Sequence, residues 1–220
     1  RRTVQDARAV LRSALTNAMT EEMIPKNVAG LVKVRSARRK KRHPWSVEEA
    51  RQFLEAASAA HDPLYAAYVL ILVLGFRRGE VLGLTWENVD LDAGVITVQM
   101  QLQRINRRLV HAETKTEASA AVLPLPEICI AALQRRRKEQ ELAKQAAGEL
   151  WSDFGFVFTT RYGTPFEPRN FNRRFMDRSA RADVRQIRLH DTRHTCARSS
   201  LPSTCTRGSR CRSFGTARSR

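Results

Sequence analysis

Apolar residues recur at helical spacing from Val4 to Met23, with Val4, Ala7, Leu11, Leu15, Ala18 and Met19 on one stripe. That period predicts an amphipathic helix at the start of the chain. Pro25 and the stretch Asn27–Gly30 break it. Ser46 followed by Glu49 has the spacing of a capping box and predicts a helix running to about Ala60. From Leu64 to Phe76 nearly every position is apolar, and a helix hydrophobic all round must be buried. Pro63 suits its entry. A short helix from Arg78 to Leu84 is expected next. The β-rich runs Val95–Val98, Arg108–His111 and Ala121–Leu125 predict strands of one small antiparallel sheet. Pro126 then opens a long helix to about Ala147, Phe154–Phe158 is a short apolar run, and Arg169–Ala182 reads as a further helix. No internal repeat is found. The pattern predicts a mainly α fold with a small antiparallel β-sheet, an α+β arrangement.

The chain has 220 residues, 42% of them hydrophobic, enough to bury a core in one large or two small domains. Charge changes the picture more. Thirty-nine Lys and Arg face 22 Asp and Glu, a net charge of +17, which favours a polyanionic partner: nucleic acid first, an acidic membrane surface second. No run approaches the roughly 18 apolar residues of a membrane span. No signal peptide is visible, because Arg1 and Arg2 lead straight into the first helix. Since the first residue is Arg, the chain is expected to begin inside a longer protein. Cys129, Cys196, Cys205 and Cys211 lack the paired spacing of a zinc site, so no metal is expected and a reduced, cytoplasmic protein fits best.

Two segments stand apart by charge. The run from Lys33 to Arg42, which includes Arg38, Arg39, Lys40 and Lys41, contains no acid. It is either a solvated linker or a linker lying on phosphates. The last 24 residues, Ala197–Arg220, hold six Arg, six Ser, three Thr and two Cys, with no Asp, Glu or Lys and no helical or strand period. Disorder is the expectation there.

Three places can carry chemistry. Arg77 stands at the end of the buried apolar run, where a guanidinium must be paired or face an anion. Glu80, three residues on, is within reach of it on a helix, so a purely structural pair is one reading. Lys115 falls at a turn between two strands, where most lysines are simply solvated. His190, Arg193 and His194 share one short segment, and the i, i+3 spacing of His190 and Arg193 can aim both side chains at one point.

Taken together these segments resemble the tyrosine recombinase (phage integrase) family. Gly75-Phe-Arg-Arg-Gly-Glu-Val-Leu-Gly-Leu-Thr-Trp-Glu-Asn-Val-Asp90 is similar to that family's first-arginine motif. Lys115-Thr-Glu-Ala-Ser119 with Val122-Leu-Pro-Leu125 resembles its β-hairpin lysine, and His190-Asp-Thr-Arg-His-Thr-Cys-Ala197 its His-x-x-Arg box. Phe158-Thr-Thr-Arg-Tyr-Gly-Thr-Pro165 resembles the segment that precedes that box. The boxes come in the family's order and span Trp45 to Ala197. The resemblance implies a catalytic domain over 45–196, incomplete, preceded by the end of a helical (SAM-like) core-binding domain over 1–32 and a basic linker over 33–44.

The implied reaction is site-specific exchange of DNA strands through a 3′-phosphotyrosine, without a cofactor. Arg77 and Arg193 would hold the scissile phosphate, Lys115 would protonate the leaving oxygen, and His190 would assist proton transfer or orient the phosphate. Glu80 would support Arg77, and His194 would lie behind the site. Arg38, Arg39, Lys40, Lys41 and Arg42 would contact DNA. The implied partner is double-stranded DNA carrying attachment sites, with a homo-oligomer on DNA for a full-length protein, no membrane, and a cytoplasmic, nucleoid-associated location in a bacterium. The rival is a non-enzymatic basic DNA-binding protein whose cations only neutralise phosphate. An RNA-binding protein lacks its expected stacking aromatics.

The end of the chain departs from the family. A Leu-x-His type box is due about two dozen residues beyond Arg193, and the nucleophilic tyrosine about nine residues later. Thr216 occupies the first place, and the only tyrosines are Tyr65, Tyr68 and Tyr162. Tyr65 and Tyr68 fall on the buried helix and Tyr162 in a turn, so none is expected to be a nucleophile. Read one base out of register, four-fold degenerate codons for the tail permit an apolar helical peptide with a histidine straddling Gly215 and Thr216. A frameshift close to Ala197 is therefore the expected origin of the tail, and this chain is expected to bind DNA without cleaving it.

Overall fold

The computed structural model describes residues 2–34, 43–113 and 121–193. Lys115, His194, the run Arg38–Arg42, Cys196 and the tail 197–220 lie outside the described residues. The chain divides into two compact units, Arg1–Arg42 and His43–Arg220. In the first, helix α1 (Arg2–Thr20) ends three residues before Met23. Asn27 ties the following loop back to it: Nδ2 donates to the Arg12 carbonyl (2.8 Å) and to Thr16 Oγ1 (2.9 Å), while Oδ1 accepts from Gly30 N (3.3 Å). The apolar stripe is largely exposed at Val4 and Leu11.

The second unit starts at the expected cap. Ser46 Oγ accepts from Glu49 N and Glu49 Oε2 accepts from Ser46 N, opening α2 (Val47–Ala59). Helix α3 (Tyr65–Leu74) is apolar on every face and buried from Ala66 to Leu72. Gly75 ends it with a φ of 69°, a left-handed conformation that costs glycine little. Helix α5 (Glu127–Ala147) packs along α3, and α6 (Pro168–Arg181) closes the core with Phe171 and Phe175. Phe53, Tyr68, Phe171 and Phe175 meet with ring centroids 5.1–6.1 Å apart, the spacing of favourable edge and tilted ring pairs. Tyr68 lies in the core, as its apolar surroundings in sequence imply, and that burial pushes its phenol far above the ordinary pKa.

The strands differ from the single sheet expected. β1 (Val89–Asp90), β2 (Val95–Val98) and β5 (Ala121–Pro124) form one antiparallel sheet, with Ile96 opposite Leu123. β3 (Met100–Ile105) and β4 (Arg108–Glu113) form a separate hairpin. β3 was not expected, because glutamines and arginine fill its polar positions and only Met100 and Leu102 mark its inner face. The hairpin turns at Asn106 and Arg107, with φ of 46° and 64°. Both central residues are left-handed, as a type I′ turn requires, but Arg carries no turn signature.

Two contacts fix this hairpin against the short helix α4 (Arg78–Leu82). At Gly83 a Cβ would stand 2.7 Å from the backbone of Gln101 and Leu102, so only glycine lets the strand come this close. His111 Nε2 bonds the Gly83 carbonyl at 2.8 Å. Behind α4, buried side chains of α5 hold the apolar run in place. Arg136 Nε donates to the Val157 carbonyl (2.9 Å), and Gln140 Nε2 donates to that of Phe156 (2.8 Å). Val157 N in turn bonds Leu84 O (2.9 Å), joining this layer to the end of α4.

Candidate functional site

The glycine turn after α3 delivers Phe76 to the core and Arg77 to the surface. Arg77 is the N-cap of α4, with extended backbone (φ −75°, ψ 150°). Glu80 satisfies it twice: Oε2 accepts from Arg77 N at 2.7 Å and Oε1 from Arg77 Nη1 at 2.6 Å. The two side chains are unequally placed. That of Glu80 is 10% exposed and that of Arg77 57%, so the carboxylate anchors the guanidinium from below and leaves its remaining N–H groups facing outward.

The second half comes from the segment after α6. Ile187 and Leu189 pack against the core, and a 3-10 turn, Leu189–Asp191, carries His190. Thr192 is buried, with its hydroxyl donating to the Leu189 carbonyl, and Arg193 follows half-buried. Pinning the turn at Leu189 and Thr192 leaves His190 exposed.

Arg77, His190 and Arg193 line one cleft of about 650 Å³, floored by Phe76, Leu102 and Phe175. Among the described residues five arginines line it, Arg77, Arg78, Arg104, Arg188 and Arg193, and no Asp or Glu does. The concentration of fixed cationic donors over an apolar floor suits an anion with several oxygens, such as a phosphodiester. Arg104 is held at the wall by Glu167, Nε donating to Oε1 at 3.0 Å and Oε2 at 2.9 Å. That hydrogen bonding keeps the Glu167 carboxyl below its ordinary pKa and raises that of Arg104. Asn172 also lines the cleft, and its Oδ1 is buried with no hydrogen-bond partner.

The sequence pattern singled out Arg77, His190 and Arg193 but not Arg78, Arg104, Arg188 or Asn172. Arg188 stands two residues before His190 and was within reach of the same reasoning. Arg104 lies on the unexpected strand and gave no signal. Tyr65, Tyr68 and Tyr162 do not line the cleft. Arg135 lies over the ring of Tyr65 and Arg161 over that of Tyr162, centroid distances of 5.4 and 4.6 Å. Among the described residues no His, Cys, Asp and Glu side chains gather as metal ligands, and no helix is long and apolar enough to cross a membrane.

Residues 45–201 match the model of the phage integrase family. A tyrosine recombinase XerC-like protein of Caldanaerobacter subterraneus subsp. tengcongensis is 30% identical over 165 residues, 70% of this chain and 42% of the relative. An integrase of Streptomyces ambofaciens is 29% identical over 183 residues, 79% of this chain and 45% of the relative. The chain thus spans less than half the length of these two relatives. Among solved structures, the Tn1549 transposon integrase in complex with transposon right end DNA superposes with a TM-score of 0.72 at 22% identity, covering 89% of this chain and 65% of that one. Lambda integrase bound to DNA gives 0.56 at 17%, covering 87% and 62%.

Proposed function

The chain belongs to the phage integrase family, and from that premise we propose that it carries the phosphate-binding half of a site-specific DNA recombinase while lacking the nucleophile. The observation that carries this reading is the single cleft lined by Arg77, His190 and Arg193. In strand cleavage of this type a tyrosine hydroxyl gives up its proton as its oxygen attacks phosphorus, the bond to the 5′-oxygen breaks, and that oxygen takes up a proton. Charge gathers on the non-bridging oxygens. Arg77 and Arg193 offer them fixed donors, which stabilise the transition state without reorganising. Glu80 supports this by holding Arg77 in place before substrate arrives.

His190, exposed at the cleft, can assist proton transfer or orient the phosphate. Lys115 is assigned the proton delivered to the leaving oxygen, and His194 a place behind the arginines. The run Arg38, Arg39, Lys40, Lys41 and Arg42 is assigned to DNA backbone contact, and residues 1–32 to the end of a core-binding domain. The partner is duplex DNA with attachment sites, met as a homo-oligomer by the full-length protein, in the cytoplasm at the nucleoid.

Within these 220 residues no tyrosine follows Tyr162. The polypeptide should therefore bind DNA and form no covalent adduct, since an oriented phosphate without an aligned nucleophile does not react. Binding is tested by anisotropy of labelled duplex DNA across a salt series. Each phosphate contact adds about 0.9 to the slope of log K against log salt. Arg77→Gln and Arg193→Gln should each flatten it, and neutralising Arg38, Arg39, Lys40 and Lys41 together should flatten it further, whatever the DNA sequence. Slopes unchanged in both cleft variants would return the chain to a basic protein that neutralises phosphate elsewhere.

A further inference from the structure

We propose that Arg188 is a third phosphate-binding guanidinium of the cleft, holding the backbone phosphate next to the one assigned to Arg77 and Arg193. The proposal rests on the reading of the cleft as a DNA-phosphate site. Arg188 caps the 3-10 turn that carries His190, and its backbone is extended (φ −72°, ψ 141°). Asp191 N donates to its carbonyl at 2.8 Å, so the main chain is fixed while the side chain stands exposed at the cleft.

Arg188 shares with Arg78 the lack of an anion, and is set apart from it by its place on the turn that carries His190. Arg77 is engaged by Glu80, and Arg104 by Glu167 and the Arg107 carbonyl. The side chain of Arg188 makes no hydrogen bond or ion pair among the described residues. A guanidinium gathered beside other guanidiniums, with no Asp or Glu among the described residues lining the cleft, is repelled unless a ligand brings the negative charge. One phosphodiester cannot bring enough. Its one negative charge is already exceeded by two guanidiniums, those of Arg77 and Arg193. A third guanidinium needs a different phosphate, and a nucleic-acid strand supplies one at each adjacent nucleotide.

The same salt titration tests this with the 220-residue chain. Arg188→Gln should lower the slope of log K against log salt by about 0.9, the loss of one phosphate contact. Arg188→Lys, which keeps the charge, should restore it. Arg51→Gln, at an exposed pair with Glu55 on α2, should leave it unchanged. The double variant Arg77→Gln with Arg188→Gln should lose the sum of the two single effects. Thermal midpoints within error of wild type exclude a folding defect as the cause.

A wild-type slope in Arg188→Gln overturns the proposal. If Arg77→Gln and Arg193→Gln still flatten theirs, the cleft reading stands and only Arg188 falls. An unmoved slope in all three removes the cleft reading as well. A double variant no worse than Arg77→Gln alone would mean that both arginines share one phosphate, which also contradicts the proposal.

Discussion

Replacing Glu80 by alanine removes the acceptor of two hydrogen bonds and tests whether Arg77 is held from below. One bond is a charge-assisted cap to Arg77 N at 2.7 Å, and losing such a cap costs about 1 kcal/mol. The other joins Glu80 to a guanidinium whose side chain is 57% exposed, so solvent screening limits it to about 0.5 kcal/mol. The buried stem of Glu80 adds a small cavity, bringing the expected total to about 2 kcal/mol. In a unit of this size that lowers the thermal midpoint by roughly 4–8 °C. Equilibrium urea unfolding, followed by tryptophan fluorescence, measures it directly. Glu80→Gln keeps one acceptor oxygen and should lose about half as much. Both variants should also weaken DNA binding, because Arg77 loses its orientation while keeping its charge. An alanine variant as stable as wild type, with unchanged affinity, would refute the reasoning.

Three further outcomes follow from the packing around the cleft. Gly83→Ala places a Cβ 2.7 Å from the Gln101 backbone, so the β3–β4 hairpin must move off α4. Unfolding should show a loss of about 1–3 kcal/mol. Arg136→Ala leaves the Val157 carbonyl without its donor and opens a cavity beside α5, and should cost about 3 kcal/mol by the same assay. Glu49, held low by its hydrogen bond from Arg185, and Glu167, held low by that from Arg104, have folded pKa values below the ordinary 4.5. Each therefore contributes stability above pH 4.5 that is lost as pH falls through its folded value. The urea midpoint should drop on that acid limb, and Glu49→Gln combined with Glu167→Gln should make the drop shallower.

Much of the architecture was legible because local chemistry and burial agree. The run Leu64–Phe76 admits only a buried helix, and Ser46 with Glu49 caps the helix it announces. The two-sheet arrangement was hidden for a physical reason. β3 is stabilised by α4 pressing on it at Gly79 and Gly83 and by its pairing with β4, all non-local, while its own residues are mostly polar. Arg77, His190 and Arg193 could be picked out by their boxes, but their meeting at one cleft depends on α6 and the buried Thr192. Asn172 was invisible for the opposite reason. An asparagine within a helix rich in arginine reads as solvated, and only packing reveals that its carbonyl oxygen is buried.

The most direct test of the central claim uses a nicked suicide DNA substrate carrying the element's own attachment site, resolved on a denaturing gel. The 220-residue chain should give no retarded protein–DNA band. A variant in which the peptide permitted by the shifted frame replaces the residues after Ala197, completed with a tyrosine about nine residues beyond its histidine, should give a covalent band that Arg77→Gln or Arg193→Gln abolishes. A covalent band from the 220-residue chain itself would contradict the account and point to Tyr162 or to a tyrosine supplied by another molecule. So would a band from the completed variant that survives loss of both arginines.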